Sequence, residues 1–144
     1  MSYGTYDPAP KTQRDYTEEE KLTVWNKGQV VPGYDPARFR KDVAWPDVVA
    51  AEQSGYDPAR FRKDVAGAWM EWSKFGDASN ELGLGWEIDH LKPVAKDGTD
   101  NLYNLRPLQW KNNRSKGDDY PVWISEVSSS DNTNIYLRQR WTIN

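Results

Sequence analysis

Apolar and polar positions follow different periods along the chain, and the changes of period divide it. Residues 1–16, MSYGTYDPAPKTQRDY, have no apolar period and carry two prolines, which predicts a loose arm. In DYTEEEKLTVWNKG, Thr17 stands three residues before Glu20, and Gly28 follows the segment. A capping-box pattern with a glycine stop predicts a helix over 17–27. Farther along, GAWMEWSKFG has strand character and DASNELGLG is dense in turn residues. WEIDHL then predicts a strand ended by Pro93, and VAKDGTDNLYN a turn-rich loop around Asp97-Gly98. Leu105–Leu108 predicts a short apolar strand, and WKNNRSKG a helix closed by Gly117. Two strand-like runs, YPVWISEV and NIYLRQRWTI, are joined by SSSDNTN and predict a terminal hairpin. In the second run Ile135, Leu137 and Gln139 alternate with Tyr136, Arg138 and Arg140. Helices and strands in this order predict an α+β fold.

Between the first helix and GAW lies a repeat. GYDPARFRKDVA occurs at 33–44 and again, letter for letter, at 55–66. Asp35-Pro36 and Asp57-Pro58 are cap-plus-first-turn signals, so each copy predicts a short helix. Two copies are too few for a solenoid. Identity at every position points to a recent or deliberate duplication: an inserted extension without chemistry, a displaced binding surface, or two segments competing for one place. The resulting organisation is an arm at 1–16, a helical region at 17–66 and a third region at 67–144.

Composition narrows the chemistry. At 144 residues the chain can bury one core, and with only 37% hydrophobic residues the eight Trp and eight Tyr must supply much of it. Cysteine is absent, which excludes disulfides, a thiol nucleophile and a Cys-ligated zinc. Any metal site must use oxygen and imidazole ligands. No apolar run approaches the length of a membrane span and the N-terminus lacks a hydrophobic signal core, so the expectation is a cytoplasmic protein without membrane contact. Net charge is −3, yet from Trp86 to Gly117 six cations face four carboxylates. That mildly basic centre permits contact with a polyanion.

The same stretch holds the only histidine, His90. It follows Asp89, precedes Pro93 and the Asp97-Gly98 turn, and lies fourteen residues before Asn104-Leu105 and twenty-three before Asn113, with Lys116 three residues later. IDHLKPVAKDG, YNLRPLQ and NNRSKGD together resemble the HNH endonuclease family, whose active site is the ββα-metal (His-Me) finger. The likeness is close over about thirty residues and specific because residue types, spacings and expected elements agree. More loosely, GAWMEWSKFG…GWEIDH resembles the lead-in of small bacterial HNH proteins.

The resemblance implies a ββα-metal core with an extra strand before it, N-terminal helices and a C-terminal hairpin. It implies a DNA substrate and one divalent cation: Mg²⁺, with Mn²⁺, Ni²⁺ or Zn²⁺ as alternatives. It assigns His90 as the base, Asp89 and Asn113 as metal ligands, and Asn104 as the residue fixing the loop and imidazole. Imidazole suits a base at neutral pH, and carboxylate and amide oxygens suit a hard cation. Lys111, Arg114 and Lys116 could reach phosphates, and read equally well as a solvated helix face. The family's zinc-binding cysteines are missing, with Asn112 at one such position, so packing of Trp86, Trp110 and Trp123 is expected to support the finger. Strand alternation puts Asp89 and His90 on opposite faces, so the strand must end or bulge at His90 for both to serve one phosphate. A strand running straight on would set Glu87 beside Asp89, where it could join the metal shell. The alternatives are an HNH-like module that binds nucleic acid without cutting, and a structural or partner-binding protein.

Overall fold

The computed structural model describes residues 12–31 and 57–144. Most of the predicted arm and the whole first copy of the repeat lie outside the described residues. The described fold is mixed α/β, with two α-helices and three two-stranded antiparallel sheets. In chain order these are α1 (Glu18–Trp25), β1 (Phe61–Lys63), β2 (Trp69–Glu71), β3 (Trp86–His90), β4 (Leu105–Gln109), α2 (Trp110–Lys116), β5 (Val122–Ser130) and β6 (Thr133–Thr142). Strands pair β1 with β2, β3 with β4 and β5 with β6. Among the described residues no helix is long and apolar enough to cross a membrane.

Helix α1 begins at the expected box. Thr17 Oγ1 accepts from the Glu20 amide at 3.1 Å, and the Thr17 amide donates to Glu20 Oε1 at 2.9 Å. Three glutamates in the first turn complement the positive end of the helix dipole. The helix ends at Trp25 with Asn26 as its C-cap, earlier than the Gly28 stop expected from sequence. The end of the predicted arm is not loose. Gln13 makes paired bonds to the Ile88 backbone, donating to its carbonyl at 2.7 Å and accepting from its amide at 2.8 Å. Tyr16 is buried in the core.

The described part of the second repeat copy also departs from expectation. Asp57-Pro58 opens a turn, with the Asp57 carbonyl accepting from the Arg60 and Phe61 amides, and the chain then enters β1 instead of a helix. Phe61 is buried, and Lys63 bridges to Gln29 on its other side, so tertiary pairing overrides the local cap signal.

Aromatic packing fills the core as the composition requires. Trp86 is fully buried, with ring centroids 5.0 Å from Trp25, 5.8 Å from Trp72 and 4.8 Å from Phe75. Each buried indole removes roughly 150–250 Å² from water, worth about 4–6 kcal/mol of transfer free energy. Trp123 packs beneath the Arg106 guanidinium at 4.8 Å, and half-buried Trp110 donates to the Asn80 carbonyl at 2.7 Å.

Tryptophan packing is only part of the support. Buried Asp64 accepts from the Ala66 and Ala68 amides through Oδ1, and from the Gln109 amide and Asn112 Nδ2 through Oδ2. Asn112 also donates to the Val127 carbonyl and accepts from the Glu126 and Val127 amides. Gln109 Oε1 caps α2 by accepting from Lys111 and Asn112. A buried polar network therefore ties β1–β2, α2 and β5 together. Burial pushes the Asp64 carboxyl up, while its hydrogen bonds, each favouring the anion, pull the other way.

Candidate active site

Strand β3, β4 and α2 follow one another as hairpin then helix, and the polar residues singled out in sequence sit on them or on the loop between the strands. The pairing Glu87↔Leu108, Asp89↔Arg106, His90↔Leu105 runs in regular register, and β3 ends at His90. Glu87 and Asp89 share the face toward α2, whereas His90 turns toward the N-terminal segment. All the same, Asp89, His90 and Asn113 line one cavity of about 340 Å³, together with Thr12, Gln13 and Asp118. The strand thus ends at His90 without a bulge, and the residues on either side of that alternation border the same cavity.

Asp89 is buried and its two oxygens are each held by a cation. Arg106 Nε donates to Oδ2 at 2.8 Å, and Lys116 Nζ lies 3.1 Å from Oδ1. Asn113 is oriented by Glu87. Its Nδ2 donates to Glu87 Oε1 at 3.0 Å, which leaves the amide carbonyl as the end able to coordinate. Arg114 grips the same carboxylate through Nε and a terminal nitrogen at 3.1 and 2.9 Å, and that pairing raises the guanidinium's already high pKa. Glu87, expected beside Asp89 only for a straight strand, thus does share its face and positions the Asn113 amide.

The loop between β3 and β4 is stapled at its base. Asn104 accepts from the Lys92 amide at 2.9 Å and donates to the Lys92 and Thr99 carbonyls at 3.1 and 2.8 Å. Gly98 closes the turn where only glycine fits, since a Cβ there would fall 1.7 Å from the Lys92 carbonyl oxygen. Asn104 therefore fixes the loop as expected, but its side chain bonds to backbone and not to the imidazole. The imidazole is held instead by two residues the sequence did not flag. His90 Nε2 lies 2.7 Å from Asp100 Oδ1, and the Tyr16 hydroxyl donates to that same oxygen at 3.0 Å. Lone polar residues ten positions downstream and 74 positions upstream of a histidine carry no local signal of such contact.

The three residues expected to meet nucleic acid part company. Arg114 is exposed, though tied to Glu87 and set over the Trp110 ring. Lys111 is half-buried, 3.9 Å from Glu81. Lys116 is fully buried, which corrects its reading as a phosphate contact: its Nζ donates to the His90 carbonyl at 3.0 Å and pairs with Asp89. Burial lowers its pKa and the Asp89 charge opposes that shift. Lys116→Met should then cost about 2–4 kcal/mol in urea unfolding, because it leaves a carbonyl and part of a buried carboxylate uncompensated. The salt dependence of any DNA binding should stay unchanged.

Among the described residues no group of three or more His, Cys, Asp or Glu is placed to hold a metal. A carboxylate with lone pairs left beside its ion pairs and an oriented amide carbonyl still form a hard-oxygen donor pair on an open cavity. Water and phosphate would have to complete a cation's shell. No protein-family model matches the chain, and neither the curated proteins nor the solved structures contain a match to it.

Proposed function

We propose that the chain is a metal-dependent endonuclease of the HNH type that hydrolyses phosphodiester bonds in DNA, with β3, β4 and α2 as a ββα-metal core. The reading is carried by the convergence of Asp89, His90 and Asn113 on one cavity from a strand and a helix. In this mechanism His90 takes a proton from water, the water oxygen bonds to phosphorus, and the opposite P–O bond breaks with its electron pair leaving on the departing oxygen. Solvent then protonates that oxygen. Asp89 and Asn113 would hold one divalent cation, whose chemistry is to neutralise the phosphate and the developing alkoxide. Asn104 keeps the loop in place, and the exposed Arg114 and partly exposed Lys111 offer cations to the phosphate backbone.

A second reading has an observation of its own. Both Asp89 oxygens already carry a cation, as in a purely structural ion-pair cluster, which favours an HNH-like module that binds nucleic acid without cutting it. Supercoiled plasmid incubated with Mg²⁺, Mn²⁺, Ni²⁺ or Zn²⁺, each with and without EDTA, separates the two. Nicking that needs a divalent cation is the expected result. Salt-dependent DNA binding with no turnover in any of the four metals would establish the silent module instead.

A further inference from the structure

We propose that Asp100 and Tyr16 are positioning residues that hold His90 in its Nε2–H tautomer, leaving Nδ1 as the nitrogen that accepts the proton. The inference rests on the reading of His90 as the base and assigns which atom does the work and what sets it. A carboxylate accepts hydrogen bonds and has none to give, so the 2.7 Å contact between Nε2 and Asp100 Oδ1 requires the proton to sit on Nε2. Tyr16 cannot supply that proton in its place. Its single hydroxyl hydrogen goes to Asp100 at 3.0 Å, whereas its oxygen is 3.5 Å from Nε2, beyond an ordinary hydrogen bond. The opposite tautomer would turn the Nε2 lone pair against the carboxylate.

The chain fastens this arrangement from both ends. Tyr16 is buried in the core directly before the α1 cap, and Gln13 holds the same segment to β3 two residues ahead of His90. Asp100 rides on the loop beside Thr99, whose carbonyl Asn104 grips. Burial and the Asp100 carboxylate both push the Tyr16 phenol's pKa upward, so it stays a donor at neutral pH. When Nδ1 takes the proton from water, the imidazolium keeps its Nε2–H on Asp100, and the carboxylate stabilises the charge that has formed. The last residues of the apparent arm are thereby part of the site.

Because His90 is the only histidine, ¹⁵N-histidine labelling of the full chain yields a single imidazole spin system. Long-range ¹H–¹⁵N correlation of the neutral ring should give a pyrrole-type Nε2 and a pyridine-type Nδ1. Asp100→Ala should convert this to a tautomer mixture and lower kcat for nicking by roughly tenfold to a hundredfold with little change in KM. Tyr16→Phe, which keeps the ring in the core, should shift the tautomer signals part of the way and lower kcat about threefold to tenfold. A pyridine-type Nε2 in the wild-type chain, or an Asp100→Ala spectrum identical to wild type, would overturn the assignment. If the wild-type chain does not nick at all, His90 is not a base, and the spectrum still decides the tautomer.

Discussion

His90→Ala is expected to slow metal-dependent plasmid nicking by about 10²- to 10⁴-fold, the range for loss of a positioned general base. That is roughly 2.7–5.4 kcal/mol of transition-state stabilisation. The fold should tolerate the change. The imidazole's polar tie is to Asp100, which keeps its bond from Tyr16 when the ring is removed, and the ring lies at the edge of an open cavity. The loss of stability should stay near 1–2 kcal/mol, so a large fall in rate with a small fall in Tm is the signature. Asp89→Ala is a poorer probe, because it strands Arg106 and buried Lys116 without their carboxylate and would damage the fold together with any metal site. Nicking at the wild-type rate by a folded His90→Ala chain would falsify the base assignment.

The parts of this molecule legible in sequence are those whose signals are local. Thr17 and Glu20 mark α1 because a capping box closes within four residues, and Pro93 and the turn residues after it mark the end of β3. The C-terminal hairpin was legible from alternation, although its strands run farther toward the turn than expected: Ser128–Ser130 and Thr133 are also paired, leaving Asp131-Asn132 at the turn. What was not legible depends on distant partners. Asp57-Pro58 looks like a helix start until Phe61 finds a core and Lys63 a partner at Gln29. Lys116 looks like a surface cation until Asp89 and the His90 carbonyl take its ammonium, 27 and 26 residues away in sequence. Asp100 and Tyr16 have no pattern of their own, and alternation places Glu87 beside Asp89 without revealing its bonds to Asn113 and Arg114. Their roles exist only after β3, its loop and the N-terminal segment have met.

A large effect on stability is expected at Asp64, which looks in sequence like one more charge in a repeated segment. Asp64→Ala should lower the unfolding free energy by about 3–5 kcal/mol, because it leaves three backbone amides and one N–H of the Asn112 side chain without their acceptor in a buried place. Against a typical total of roughly 5–15 kcal/mol that is a severe loss, readable as a lower urea midpoint with little change in slope. Asp64→Asn should recover only part of it, since an amide presents its NH₂ to one of the two donor pairs that Asp64 satisfies. Because the segment is duplicated, the same substitution has a built-in counterpart at Asp42, the matching position of the first copy. If 55–66 alone fills the place beside β2, Asp64→Ala carries the whole loss and the Asp42→Ala, Asp64→Ala double variant adds nothing. If the copies exchange, Asp64→Ala is mild, because the first copy takes over, and the full loss appears only in the double variant. The seat of Asp64 against Gln109 and Asn112 thus turns an otherwise mute repeat into a measurable competition.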